Sequence, residues 1–144
     1  MASRQTQRGV TLVELMIAVV IVSIIAAIAY PSYTKYVTKS NRSAAESFLL
    51  TVANKQEQYM LDARNYADDP GALNTLNLTT PTDVSNHYTI SVSADNSATP
   101  PTYTIKATPT GTQLTNDTEC ASLTLDQAGT KNIIGGTSSV SNCW

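Results

Sequence analysis

Residues Val10 to Tyr30 read V-T-L-V-E-L-M-I-A-V-V-I-V-S-I-I-A-A-I-A-Y, and this stretch decides the architecture of the 144-residue chain. Only Thr11, Glu14 and Ser23 are polar in it, and Glu14 alone is charged. Roughly 20 apolar residues at 1.5 Å rise per residue match the ~30 Å hydrocarbon core of a bilayer. A soluble core helix of this length would carry a polar stripe for its solvent side, and this one has none. The stretch therefore predicts a membrane-spanning helix.

The remaining composition narrows the function classes. Nine Lys and Arg against eleven Asp and Glu leave a formal net charge of −2, which gives no reason to expect electrostatic coating of nucleic acid. There is one His and there are two Cys, so no zinc site suggests itself. Any catalytic arrangement that needs an imidazole must use His87, which opens a strand-like run beside Tyr88 and reads as structural or exposed. No Gly-rich phosphate loop is present, and Gly135-Gly136 followed by Thr137-Ser138-Ser139 reads as a flexible surface loop. The expectation is a protein that is not an enzyme, with no cofactor and no metal.

The apolar segment admits three uses. As a secretory signal it has Arg4 and Arg8 as a basic start and Ala27-Ile28-Ala29 as a small-residue cleavage pattern. Against this, the run exceeds the ~7–15 residues of an ordinary signal core and contains a carboxylate. As a plain anchor its orientation is undecided, since Arg4 and Arg8 precede it and Lys35, Lys39 and Arg42 follow. The third use explains Glu14. A carboxylate at the centre of a bilayer costs about 2.5–3.5 kcal/mol, and even near the end of a span it marks a function with a partner. A free α-amine on Val10, four residues away, is that partner if the chain is cut between Gly9 and Val10.

A short basic leader ending in Gly9, then V-T-L-V-E-L-M, a long apolar run, and Pro31-Ser32-Tyr33 resembles the class III signal of type IV pilins. The residue after Gly9 is Val10, where that family most often has Phe. The resemblance implies cleavage after Gly9 by an inner-membrane prepilin peptidase and methylation of the new Val10 amine. It implies a single-pass inner-membrane protein that later joins a cell-surface pilus. Glu14 would engage an N-terminal amine and set the axial register between subunits. Small residues Ala18, Ser23, Ala26 and Ala27 would let neighbouring helices approach. Loss of residues 1–9 takes the charge from −2 to −4, because Arg4 and Arg8 leave with them.

Beyond Pro31 a helical period continues to Arg64, with Val37, Ala44, Ala45, Phe48, Val52, Gln56 and Tyr59 near one stripe. Proline lacks an N–H and kinks a helix without necessarily ending it. One bent helix from about Val10 to Arg64 is expected, with its kink at Pro31. Lys35, Lys39 and Arg42 share a face, which reads as a solvated stripe near lipid headgroups or a subunit contact. Residues 65–86 carry turn formers and read as a packed irregular loop. Asp62, Asp68 and Asp69 lack the ligand spacing of a calcium loop.

From residue 87 the period switches to two. Tyr88, Ile90, Val92 and Ala94 alternate with Thr89, Ser91 and Ser93. Tyr103, Ile105 and Ala107 do the same, followed by Ala121, Leu123 and Leu125 and then a turn toward Lys131–Ile134. Half-buried antiparallel strands follow, with one apolar face that the helix around Ala44–Tyr59 is placed to cover. The fold expected is α+β. Its parts are a leader (1–9), a transmembrane and filament-core helix (10–30), an amphipathic second half (31–64), an αβ-loop (65–86), and a sheet with a closed C-terminal loop (87–144).

Cys120 and Cys143 would lie in an oxidising compartment after export, where two Cys in a small domain pair, and pilins commonly close a C-terminal loop in this way. Tyr88–Trp144 is also similar to minor pilins of the PilE type and their ComP-like relatives. The resulting expectation is a structural, minor pilus subunit supporting adhesion, twitching motility or DNA uptake. Its partners would be other pilin subunits, the peptidase, the assembly machinery and the membrane. Two other readings stand beside it: a DNA-binding pilus subunit and a type II secretion pseudopilin. The former needs a basic surface, yet from Asn65 onward only Lys106 and Lys131 face Asp68, Asp69, Asp83, Asp95, Asp117, Glu119 and Asp126.

Overall fold

The structure is a computed structural model that describes residues 10–144. Met1 to Gly9, and with them the expected leader and the Gly9 side of the cleavage point, lie outside the described residues. The chain divides into two compact units, one ending at Lys35 and one comprising Tyr36–Trp144.

Helix α1 spans Leu12–Ala63 and is not interrupted at Pro31. It is shorter at both ends than the expected Val10–Arg64. At the start, the Glu14 N–H donates to Thr11 Oγ1 (3.2 Å) and the Leu15 N–H to the Thr11 carbonyl (3.2 Å). Thr11 therefore occupies the N-cap, and Val10 stays outside the helix. At the other end, Arg64 takes a left-handed conformation (φ 56°), which ends the helix before the turn-rich segment.

In the second unit α1 buries Ala45, Phe48, Leu49, Val52 and Gln56, which recur at the three- and four-residue spacing of one helix face. They join a core with a four-stranded antiparallel sheet of order β1-β2-β3-β4: Tyr88–Asp95, Thr102–Pro109, Ser122–Asp126 and Lys131–Ile134. Tyr88 and Val92, then Tyr103, Ile105 and Ala107, then Leu123 and Leu125 supply the buried face. This is the period-two pattern expected for a sheet with one covered side. Tyr103 meets Tyr66 edge to face, with centroids 4.6 Å apart.

The polar side of β3 departs from simple alternation, because Ser122 and Thr124 are buried as well. Thr124 pairs with Lys106 on one neighbour and Asn132 on the other, so a short side chain sits between two longer ones on the same face.

The segment of residues 64–87 packs on the core and holds two short helices, α2 (Ala72–Thr75) and α3 (Thr82–Ser85), where an irregular loop was expected over 65–86. Its Tyr66, Ala67, Ala72, Leu76 and Val84 are buried in the core. A further short helix, α4 (Gly111–Asn116), joins β2 to β3, and α5 (Val140–Cys143) ends the chain. A disulfide joins Cys120 to Cys143, with Cα atoms 5.5 Å apart. The loop containing Gly135 and Gly136 is tied down, contrary to the expected flexible surface loop. Thr137 and Ser138 both donate their N–H groups to the Glu119 carbonyl at 2.9 Å. A Cβ at Gly136 would overlap the backbone of Glu119 and Cys120, so only glycine fits there.

Candidate functional site

In the first unit the apolar side chains of α1 are exposed. Leu12 is 75% exposed and Ile28 68%, and Val13, Leu15, Met16, Ile17, Val19 to Val22, Ile24 and Ile25 are exposed likewise. So contiguous a patch marks a membrane or protein contact. By length and composition α1 is able to cross a bilayer. Its hydroxyls make little demand on that environment: Ser23 Oγ donates to the Val19 carbonyl (2.7 Å) and Ser32 Oγ to that of Ile28 (3.3 Å).

Glu14 lies in the first turn of α1. There its charge meets the positive end of the helix dipole. Thr11-Leu12-Val13-Glu14 also has the T-x-x-E form of a capping box, whose first half, Thr11 capping the Glu14 N–H, is present. The sequence reading missed this second role, although the spacing alone reveals it. Val10 is exposed and lies outside α1.

The stripe of Lys35, the last residue of the first unit, with Lys39 and Arg42 of the second does not act as one. Lys39 is exposed, but Arg42 turns inward and its Nη1 reaches Asp117 Oδ1 at 2.6 Å, with only 11% of the Arg42 side chain exposed. The solvated-stripe reading is therefore corrected for Arg42. Around this pair a polar cluster closes. Gln113 Nε2 donates to the Thr38 carbonyl (3.1 Å), to Tyr88 Oη (2.9 Å) and to Asp117 Oδ2 (3.1 Å), and Asn41 donates to Gln113 Oε1 (3.1 Å). Burial first, then the Asp117 carboxylate, pushes the Tyr88 hydroxyl above its ordinary value. Arg42 also approaches Glu46 (3.9 Å), whose carboxyl is raised by burial despite the opposing pull of Arg42.

The acids weighed as calcium ligands have another job. Asp69 accepts the Val92 N–H (2.7 Å) and Asp68 that of Ala94 (2.9 Å), so both carboxylates satisfy the outer edge of β1. Asn96 completes this edge through paired bonds with the Tyr66 backbone. Among the described residues no His, Cys, Asp and Glu cluster is able to hold a metal. The His87 backbone bonds to Val84 and Thr110, which serves the entry to β1. Of the two late cations, Lys106 is half-buried on the sheet, and Lys131 lies over the Trp144 ring, 5.0 Å from its centroid.

Comparisons with known proteins find pilins, fimbrial proteins and a type II secretion protein. A model described as type IV minor pilin ComP, DNA uptake sequence receptor, matches residues 31–124, and the prokaryotic N-terminal methylation motif matches residues 4–30. A fimbrial protein of Neisseria meningitidis serogroup B is 35% identical over 92 residues, 62% of this chain and 51% of the relative. The type IV major pilin protein PilA of Myxococcus xanthus is 39% identical over 61 residues, 42% of this chain and 28% of the relative. The type II secretion system core protein G of Klebsiella michiganensis is 32% identical over 73 residues, 51% of each. The chain thus spans about half or less of these relatives' length. A type IV pilin structure from Shewanella oneidensis shares the fold, with a TM-score of 0.52 at 23% identity, covering 74% of this chain and 97% of that one. Helix α1 with its apolar first part, the packed αβ-loop, the four-stranded sheet and the family match lead to one conclusion: the chain belongs to the ComP family of type IV minor pilins.

Proposed function

We propose that this protein is a structural subunit of a type IV pilus, stored in the inner membrane through residues 10–30 and displayed at the cell surface after assembly. The observation that carries the reading is the uncovered apolar face of α1 with a single carboxylate, Glu14, in its first turn. Prepilin peptidase cuts after Gly9 and the Val10 amine is methylated. Glu14 then pairs with the N-terminal amine of a neighbouring subunit and fixes axial register, since an unpaired charge in an apolar core costs several kcal/mol. Pro31 withholds an N–H from the Ala27 carbonyl and is the point of flexure of the helix. The protein works by packing, without chemistry of its own, and its partners are other pilins, the peptidase and the assembly machinery.

Mass spectrometry of sheared filaments tests this directly. The expected subunit begins at Val10 with one added methyl. Glu14→Ala should stay in the membrane but be depleted from filaments. A surface product that still carries Met1, or begins at Tyr30, overturns the proposal.

The ComP family description favours a second reading, a receptor for DNA. The charge balance beyond Asn65, seven acids to two bases, argues for weak duplex binding at most. A gel shift at low salt with the detergent-solubilised chain separates the two readings, and a tight, sequence-selective complex would promote the second.

A further inference from the structure

We propose that the outer edge of β4 is a strand-pairing surface for a second copy of this chain, and that Trp144 is the cover that keeps it shut.

Strand β4 (Lys131–Ile134) is the last in the order β1-β2-β3-β4, so one side of its backbone has no strand beside it. The Asn132 carbonyl lies on that side, where it accepts the Trp144 indole N–H at 2.9 Å. In an antiparallel ladder the N–H and C=O of one residue point the same way, and the direction alternates along the strand. The Asn132 N–H and both backbone groups of Ile134 therefore face outward as well. The opposite edge of the sheet is closed more firmly. There β1 gives its Val92 and Ala94 N–H groups to Asp69 and Asp68, on a segment whose Tyr66, Ala67 and Ala72 are buried in the core. At β4 the cover is a single indole at the end of the four-residue helix α5. Lys131 seats the ring from one side, with Nζ 5.0 Å from its centroid, and the Cys120–Cys143 disulfide anchors the preceding residue.

Beneath that cover β4 is complementary to itself. A two-fold axis at Ile133 sets Asn132 opposite Ile134 of the partner copy, so the outward groups of both strands exchange hydrogen bonds. In this register Lys131 meets Gly135, and no two cations are opposed. Ile134, 52% exposed, gains a neighbour. Unpaired N–H and C=O groups along an edge are the template that such pairing requires.

The test compares full chains in detergent by sedimentation and by amide hydrogen exchange, with the tyrosine near-ultraviolet signal reporting that each variant is folded. The parent should sediment as one chain. Trp144→Ala should sediment as two, and its Ile134 amide should exchange about tenfold more slowly, because the edge is then paired. Lys131→Ala, which unseats the ring and leaves it in place, is the milder variant and should move in the same direction. Trp144→Ala with Asn132→Pro should return to one chain: proline removes an outward N–H and leaves the ladder to β3 intact. A folded Trp144→Ala chain that stays single overturns the proposal, as does a single Lys131→Ala chain if Trp144→Ala does not fold. A pair that survives Asn132→Pro also overturns it, since the copies then meet through another surface.

Discussion

Arg42 and Asp117, 75 positions apart in sequence, meet through Nη1 and Oδ1 at 2.6 Å inside the globular unit. The Asp117 side chain is 3% exposed and also accepts from Gln113 and Tyr88, so the pair is hydrogen-bonded on nearly every side. A buried ion pair is weak evidence for net stability, but removing one member strands the other.

Arg42→Ala should therefore destabilise the globular unit by about 3–5 kcal/mol. Lys39→Ala, at an exposed position on the same helix face, should stay within about 0.5 kcal/mol. Urea unfolding of the detergent-solubilised chain, followed by tyrosine near-ultraviolet signal, reads both. Equal effects would mean that Arg42 is as solvated as its neighbour.

Gly136 makes a sharper steric forecast. A methyl group there collides with the backbone of Glu119 and Cys120, so Gly136→Ala should cost about 1–3 kcal/mol through forced movement of the C-terminal loop. Gly129→Ala faces open space but keeps φ at +75°, and should cost about 1 kcal/mol from backbone strain alone. Ranking the two midpoints in urea checks the order.

Reduction of the Cys120–Cys143 disulfide opens a loop with a sequence separation of 23. On the chain-entropy account this removes about 3 kcal/mol. The thermal midpoint in detergent should fall by several degrees with dithiothreitol, and a Cys120→Ser/Cys143→Ser chain should lose all sensitivity to the reductant.

Alkali should unfold the globular unit earlier than its other groups suggest. Burial, then nearby carboxylates, raises the hydroxyls of Tyr88 and Tyr103 above the ordinary value of 10.0. Between the unfolded and folded values the unfolded chain binds fewer protons than the folded one, so stability is whole below about pH 10 and declines as pH rises beyond it. Tyr103→Phe, which removes one of the two groups, should flatten that decline. Urea midpoints measured at several pH values above 9 provide the readout.

Much of the architecture was readable before any coordinates, for identifiable reasons. Val10–Tyr30 declares itself as a run long and apolar enough to cross a bilayer, because a bilayer has one thickness and charges in it are costly. The helix face Ala45, Phe48, Val52 and Gln56, and the strand faces of Tyr88–Ala94 and Tyr103–Ala107, declare themselves because periods of 3.6 and 2 place alternate chemistry on opposite sides. Thr11 was legible too, through its spacing to Glu14, but the charge of Glu14 drew attention away from it.

What the linear sequence did not determine is where polar side chains spend their bonds. Arg42 looked like a third lysine-type cation until α4 and the residue that follows it delivered Gln113 and Asp117 beside it. Asp68 and Asp69 looked like spare acids until the αβ-loop was laid along β1, where Val92 and Ala94 needed acceptors. Gln56 passed for part of an apolar stripe, yet it grips both backbone groups of Ala67, at 2.7 and 2.9 Å. Hydrophobic pattern is a local property, because it concerns which face of an element is apolar. A hydrogen bond needs its partner within about 3 Å, and only the folded chain decides which of many distant donors and acceptors arrives there.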